Sequence, residues 1–218
     1  MKDAMKTIEA ILLIGPTSAG KTPLGDHMQQ RGVFGRRCHH FDFGRELRSI
    51  SSAQGPSPEF GPEEHAFIRD VLDKGQLLEN EHFPLAEKIF RKFLSERGWQ
   101  EPDLIILNGL PRHEGQARDM ERLVTITHLL ALDCCAEDIC ARIEENTGGD
   151  RAFRTDDSEK MVREKLALYS KRTAPLMEHY SAKGCHLTTV CVGATSSAES
   201  LYAQLLQLLS PEGGAGSA

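Results

Sequence analysis

An α/β fold built on a five-stranded parallel sheet follows from three observations. Five short strand-like runs recur along the chain, helical patterns alternate with them, and the first run ends in a glycine-rich turn, GPTSAGKT, at residues 15–22. Alternating strands and helices imply a doubly wound parallel sheet with helices on both faces. Ligands of such sheets gather beyond the C-terminal ends of the strands. At 218 residues the chain has the size of one such domain with small insertions.

The strand-like runs are AILLI (10–14), CHHF (38–41), LIIL (104–107), HLLAL (128–132) and LTTVCV (187–192). The first, third and fourth are nearly continuous apolar segments, as strands covered on both faces should be, while the second is polar. After the first strand and its turn, PLGDHMQQRG has an amphipathic helical pattern. Between the second and third strands, FGRELRSISS, PEEHAFIRDVLDKG and ENEHFPLAEKIFRKFLSERG read as three helices around the loop AQGPSPEFGP. That is too much chain for one crossover, so part of it should project from the sheet as a helical insertion. In the last of these helices Leu85, Ile89, Phe90 and Phe93 fall on one stripe and Gly98 supplies the stop. The segment ENTGGDRAFRTDD (145–157) interrupts two helical patterns and is expected to be a mobile flap. The tail SPEGGAGSA (210–218) is low in complexity and expected to be disordered.

Lys plus Arg total 26 against 32 Asp plus Glu, a formal charge of −6. This balance speaks against a nucleic-acid binder, which would carry a basic surface, but leaves room for a few arginines converging on a small anion. No apolar run approaches the ~20 residues of a membrane span, and MKDAMKTIEA has no signal-peptide core. A soluble, cytoplasmic monomer without membrane or nucleic-acid partners is expected. The cysteines Cys38, Cys134, Cys135, Cys140, Cys185 and Cys191 form no C-x-x-C pair and no zinc spacing. They read as reduced thiols packed near strand ends.

The turn matches G-x-x-x-x-G-K-[ST], between a buried strand and a helix. Gly15 and Gly20 let the backbone aim successive N–H groups, including those of Ser18 and Ala19, at phosphate oxygens, and the helix start adds its positive end. Lys21 supplies a point charge to the β- and γ-phosphates, and the Thr22 hydroxyl can ligate Mg²⁺. Pro23 is tolerated in a first helical turn. Two further segments follow strand ends and should reach the same sheet edge. LNGLPRHEGQA (107–117) offers Arg112 to fork onto a phosphate and Gln116 to pair with a base edge, and FDFGRELR (41–48) carries Arg48 one turn beyond Gly44. Arg142, Arg151, Arg154 and Arg163 lie within or beside the flap, where closure could bring them onto phosphates. His39, His40 and His113 read as strand-end or loop residues rather than general bases, since a phosphate acceptor is already anionic.

At this point the sequence resembles the adenylate kinase family of nucleoside monophosphate kinases, in its short-lid type. GPTSAGKT corresponds to the family's G-x-P-G-x-G-K-G-T segment, FDFGRELR to S-T-G-D-x-L-R, DKGQLL (73–78) to K-G-x-L-V, and LNGLPRHEGQA to D-G-x-P-R-x-x-x-Q. The stretch from Phe153 to Tyr180 is similar to R-x-D-D…R-L-x-x-Y-x-x-x-T-x-P…Y. The resemblance covers about residues 8 to 209, in order. It implies a P-loop core of residues 1–42, 76–142 and 157–209, an acceptor-binding insertion at 43–75 and a lid at 143–156. It also implies transfer of the ATP γ-phosphoryl group to a nucleoside monophosphate, with AMP expected and Mg²⁺ as cofactor. Arg48 and Arg112 would then hold the acceptor phosphate, and Phe43, Gly44, Gly109 and Gln116 would surround its base. Arg142 would lie against the donor base, and the CVGATS loop with Gly193 would take the donor adenine through its backbone. Arg154, with Arg151 and Lys165, would act on the transferring group, and Thr22 and Asn108 would support the metal.

The sequence departs from that pattern at four places. Phe43 stands for a threonine that touches the acceptor base, Asn108 for an aspartate that supports hydrated Mg²⁺, and Lys165 for an arginine. A second lid arginine is missing near Asn146, unless Arg151 supplies it. UMP, CMP or another small acceptor, or a weakly active nucleotide-binding regulatory module, therefore stand as alternatives to AMP phosphorylation.

Overall fold

A computed structural model describes residues 8–52, 59–149 and 159–209. Arg151, Arg154, the greater part of the expected flap and the tail 210–218 lie outside the described residues. In chain order the elements are β1 (Ile8–Ile14), α1 (Lys21–Arg31), β2 (Cys38–Asp42), α2 (Phe43–Ser52), α3 (Pro62–Lys74), a 3-10 turn (Asn80–His82) and α4 (Phe83–Arg97). There follow β3 (Leu104–Asn108), α5 (Glu114–Met120), β4 (Val124–Asp133), α6 (Ala136–Glu144), α7 (Glu159–Leu168), a π-helical turn (Tyr169–Thr173), α8 (Leu176–Ser181), β5 (His186–Cys191) and α9 (Ala198–Leu209).

The five strands form one sheet in the order β2-β3-β1-β4-β5, and every neighbouring pair is parallel. The chain winds from β1 to one side and then to the other, so the direction of winding reverses at the central strand. The C-terminal edge beside β1 is thus the crevice where such sheets bind ligands. Successive β1 side chains face opposite cores. Ala10, Leu12 and Ile14 join Phe41 and the α4 stripe of Phe83, Ile89, Phe90 and Phe93 on one face. Ile11 and Leu13 meet Leu24 and Met28 of α1 and Leu201 and Leu205 of α9 on the other.

The polar run CHHF is a strand because its histidines are buried in pairs. His39 Nε2 lies 2.7 Å from Asp103 Oδ2, and His40 Nδ1 lies 2.8 Å from Asp26 Oδ1. β4 is longer than its apolar run, adding Val124–Thr127, and its register against β1 shifts at Ala10/Ile11. β5 is an edge strand in which Val190 is buried and its two ends are exposed. The third helix between β2 and β3 starts with a separate 3-10 turn, so Phe83 and Ala86 join its buried stripe while Leu85 is only partly covered. Among the described residues all six cysteines are free, and no helix is long and apolar enough to cross a membrane.

Candidate active site

β1 ends at Ile14, and residues 15–20 turn the chain into α1. Gly20, which precedes α1, has φ +89°, and a Cβ there would come within 3.2 Å of both Arg142 Nη2 and Leu201 Cδ1. A residue without a Cβ makes this turn unstrained. Lys21 Nζ donates to the carbonyls of Gly15 at 2.8 Å and Pro16 at 2.6 Å, which lays its charge across the loop. Ser18 has a left-handed backbone with φ +62°, and its buried hydroxyl has no hydrogen-bond partner among the described residues. Strain and an orphaned donor on one loop residue fit an anionic oxygen bound from outside the chain. Ala19 is fully buried in the core below, so only its backbone could serve a ligand.

Behind this loop Arg142 is 2% exposed. Its Nε donates to Ser18 O at 2.8 Å, and its Nη1 donates to Gly193 O at 2.9 Å and Ser196 O at 2.8 Å. The Gly193 amide donates to Ser196 Oγ at 2.9 Å. The Arg142 guanidinium donates to these carbonyls and ties the P-loop to the loop between β5 and α9.

A single cleft connects the P-loop to the segments after β2 and β3. Gly15, Ser18, Gly20, Lys21 and Thr22 line one end; Arg48, Arg112 and Gln116 line the other, with Lys165 of α7 also on its wall. A Cβ on Gly44 would sit 3.2 Å from Arg48 Nη1, so the bare backbone there lets this guanidinium fold back over the start of α2. Arg112 is held by its backbone: its N–H donates to Gln116 Oε1 at 2.8 Å and its carbonyl accepts from Thr173 Oγ1 at 2.8 Å. Its guanidinium has no hydrogen bond or ion pair among the described residues, and burial pushes its pKa down. Gln116 is 2% exposed and also donates through Nε2 to Leu78 O at 2.9 Å, leaving one amide proton and one lone pair for a ligand. Phe43 packs on Phe41 and, with Gly109, forms an apolar wall. His113 is structural, as the sequence indicates. It accepts from the Gln116 amide at the start of α5, and its Nε2 lies 3.0 Å from Leu78 O.

Sequence reasoning missed the clamp on this end. Arg172 forks onto Glu79 at 2.5 and 2.8 Å, and Thr173 beside it fixes the Arg112 backbone. It also missed Asp42. Thr22 Oγ1 donates to Asp42 Oδ2 at 2.5 Å, while Asn108 Nδ2 lies 3.0 Å from the same oxygen and 3.1 Å from Thr22 Oγ1. Burial pulls the Asp42 carboxyl upward, but the Thr22 hydroxyl, the His40 and Arg45 charges and the Arg45 amide outweigh it and hold the group below its ordinary value. An acid at the C-terminal end of a parallel strand was the signal available. The Thr22 hydroxyl and the Asp42 carboxylate form a hard oxygen pair that fits Mg²⁺, with the Asn108 amide nitrogen turned toward both. Among the described residues no group of three or more His, Cys, Asp or Glu could hold a metal alone. The set therefore suits a cation that arrives with phosphates completing its shell.

No family model matches the chain. It is 26% identical over 229 residues to an adenylate kinase of Chloroherpeton thalassium, with 91% of this chain and 97% of that one covered. It is 29% identical over 182 residues to an adenylate kinase of Rhodopirellula baltica, covering 80% and 82%. Against adenylate kinase isoenzyme 1 of Homo sapiens the identity is 26% over 209 residues, covering 94% and 96%. Relatives from such different lineages, matched along most of both chains, support the broader nucleoside monophosphate kinase family for this protein, and with it phosphoryl transfer of that general type.

Proposed function

We propose that this protein transfers the γ-phosphoryl group of Mg·ATP to a nucleoside monophosphate, with AMP as the preferred acceptor and ADP as both products. The observation that carries this reading is Arg112, a half-buried cation without a hydrogen-bond or ion-pair partner among the described residues, on the wall of the same cleft as the P-loop. A desolvated, unpaired guanidinium is costly, so the cleft is suited to an anion that a substrate brings. A phosphate monoester matches the fork of an arginine, and Arg48 lines the same end.

Donor phosphates lie on the P-loop amides, the Ser18 hydroxyl and Lys21, with Thr22 and Asn108 toward the metal. Mg²⁺, when bound with ATP, neutralises charge on the phosphates. The chain's part is to align two phosphates in one cleft and to stabilise the charge that spreads over the transferring group. Residues 43–75 form the acceptor-binding insertion and 143–156 the lid, which brings Arg151 and Arg154 toward the phosphoryl group beside Lys165. Closure excludes water and so suppresses ATP hydrolysis.

Another acceptor is favoured over AMP by one feature: the Phe43 wall offers no hydrogen bond, which leaves a base edge only the remaining proton and lone pair of Gln116. A coupled assay of ADP formation from Mg·ATP against AMP, CMP, UMP, GMP and dGMP tests both readings. AMP should give the highest kcat/KM. A different leading acceptor replaces AMP, and absence of turnover with all five ends the kinase reading.

A further inference from the structure

β2 and β3 run parallel in register, with Asp42 paired to Asn108, so the last residues of the two strands sit side by side at the ligand-binding edge. The S-T-G-D-x-L-R pattern laid on residues 42–48 puts serine at position 42 and aspartate at 45, where this chain has Asp42 and Arg45. The D-G-x-P-R pattern likewise puts aspartate at 108, where this chain has Asn108. Two carboxylates of the pattern are thus absent from this edge, and a new one stands between their positions.

The new carboxylate is oriented at both oxygens. Asp42 Oδ1 accepts from the Arg45 N–H at 3.0 Å, in the first turn of α2, and Oδ2 accepts from Thr22 Oγ1 at 2.5 Å. The Thr22 hydroxyl donates its proton to Asp42 and accepts from Asn108 Nδ2 at 3.1 Å, so one of its lone pairs remains for a cation. The other contacts close a ring. Arg45 forks onto Asp26 at 2.9 and 2.7 Å, Asp26 Oδ1 lies 2.8 Å from His40 Nδ1, His40 Nε2 lies 3.4 Å from Asn108 Nδ2, and Asn108 Nδ2 returns to Asp42 Oδ2 at 3.0 Å. Supporting contacts of this kind orient the groups that meet a metal.

We propose that Asp42 is the carboxylate that holds the nucleotide's Mg²⁺ together with Thr22, and that Asn108 is a positioning residue that orients Asp42. The charge that the sequence pattern carries at the end of β3 has moved across one strand to the end of β2. This inference rests on the reading of the cleft as a Mg·nucleotide site, and the test separates the two.

ATP binding to the full chain is measured by calorimetry in EDTA, and the affinity of Mn²⁺ for the protein–ATP complex by electron paramagnetic resonance. Asp42→Asn should weaken Mn²⁺ about 10-fold or more, while ATP affinity in EDTA moves by less than about threefold because phosphate contacts with Lys21 and the loop remain. Asp42→Asn combined with Asn108→Asp returns a carboxylate to the edge and should recover most of the Mn²⁺ affinity. Thermal melts accompany each variant, and Asp42→Ser, the residue of the pattern, replaces Asp42→Asn if the latter fails to fold. Unchanged Mn²⁺ affinity in a folded Asp42 variant that binds ATP overturns this inference alone. Failure of the unsubstituted protein to bind ATP overturns the nucleotide reading, and this inference with it.

Discussion

At the P-loop end of the cleft the functional side chains are already engaged: Lys21 with two loop carbonyls, Thr22 with Asp42, Arg142 with carbonyls of two loops. At the other end, proposed for the acceptor, the backbone is engaged and the charge is not, since Arg112 is fixed through its N–H and C=O while its guanidinium has no partner among the described residues. The first end is organised by the chain itself, and the second is completed by what binds there. Substitutions at the two ends should therefore separate. Those behind the P-loop should cost stability together with function, and those at the acceptor phosphate site should cost affinity with stability kept.

Lys21→Ala should have the largest effect on turnover, a loss on the order of 10²–10³-fold, comparable to removing one preorganised charge from a transition state. Its bonds to Gly15 O and Pro16 O go to a half-buried loop, so the loss of stability that comes with losing them should stay near ~1 kcal/mol. Coupled ADP formation and a thermal melt check both. Near-normal turnover removes Lys21 from the phosphate site.

Arg112→Ala should raise the KM of every nucleoside monophosphate by roughly 10- to 100-fold, the equivalent of ~1.5–3 kcal/mol in charge-assisted hydrogen bonds. Donor KM should stay close to that of the unsubstituted protein. The sharper expectation concerns the melting temperature, which should hold or rise, because a desolvated cation is removed without breaking a hydrogen bond or ion pair among the described residues. A marked fall in melting temperature would place Arg112 among the engaged residues and erase the contrast between the two ends.

Phe43→Thr acts on selectivity. A hydroxyl on the apolar wall should widen the preference for AMP by roughly 5-fold, about 1 kcal/mol. It should also cost about 3 kcal/mol of stability, because Phe43 is 5% exposed and belongs to the core cluster of Phe41 and Leu47. Specificity constants for AMP, CMP and UMP in both proteins report the change. An unaltered ratio shows that base choice is made away from position 43.

How much of this was legible in the sequence follows from how far apart the partners lie. The P-loop is eight contiguous residues, and its chemistry could be read there. The sheet was legible in β1, β3 and β4 because double burial leaves apolar runs. β2 was harder, since His39 and His40 are buried by acids 64 and 14 residues away that no local window relates to them. Asp42 offered only its place at a strand end, for the same reason. Its meaning depends on the register that sets it beside Asn108, 66 residues along the chain. The burial that makes Arg142 a clamp between two loops was not legible either, because it depends on Ser18 and Gly193, 124 and 51 residues distant.

The smallest effect expected is also the one that isolates the shell behind the P-loop. Burial pushes the Asp26 carboxyl up, but hydrogen bonds and charges from His40 and Arg45 pull it well below the ordinary carboxylate value. A group whose pKa is depressed by folding contributes stability that is fully present above its unfolded value, near ~4, and is lost as the pH falls through the folded value. Asp26→Asn should therefore be less stable than the unsubstituted protein at pH 7, by an amount that holds down to about pH 5 and shrinks steadily below about pH 4. Solvent reaches about a third of the side chain, 35% of its surface, so screening keeps the difference small and added salt should reduce it further. Denaturant unfolding of both proteins at pH 7, 5 and 3.5 measures the gap. Arg112→Ala, in the same series, should show no loss at pH 7. A gap for Asp26→Asn as wide at pH 3.5 as at pH 7 would mean that the shell is held by shape rather than by charge, and the P-loop end would then differ from the acceptor end in packing alone.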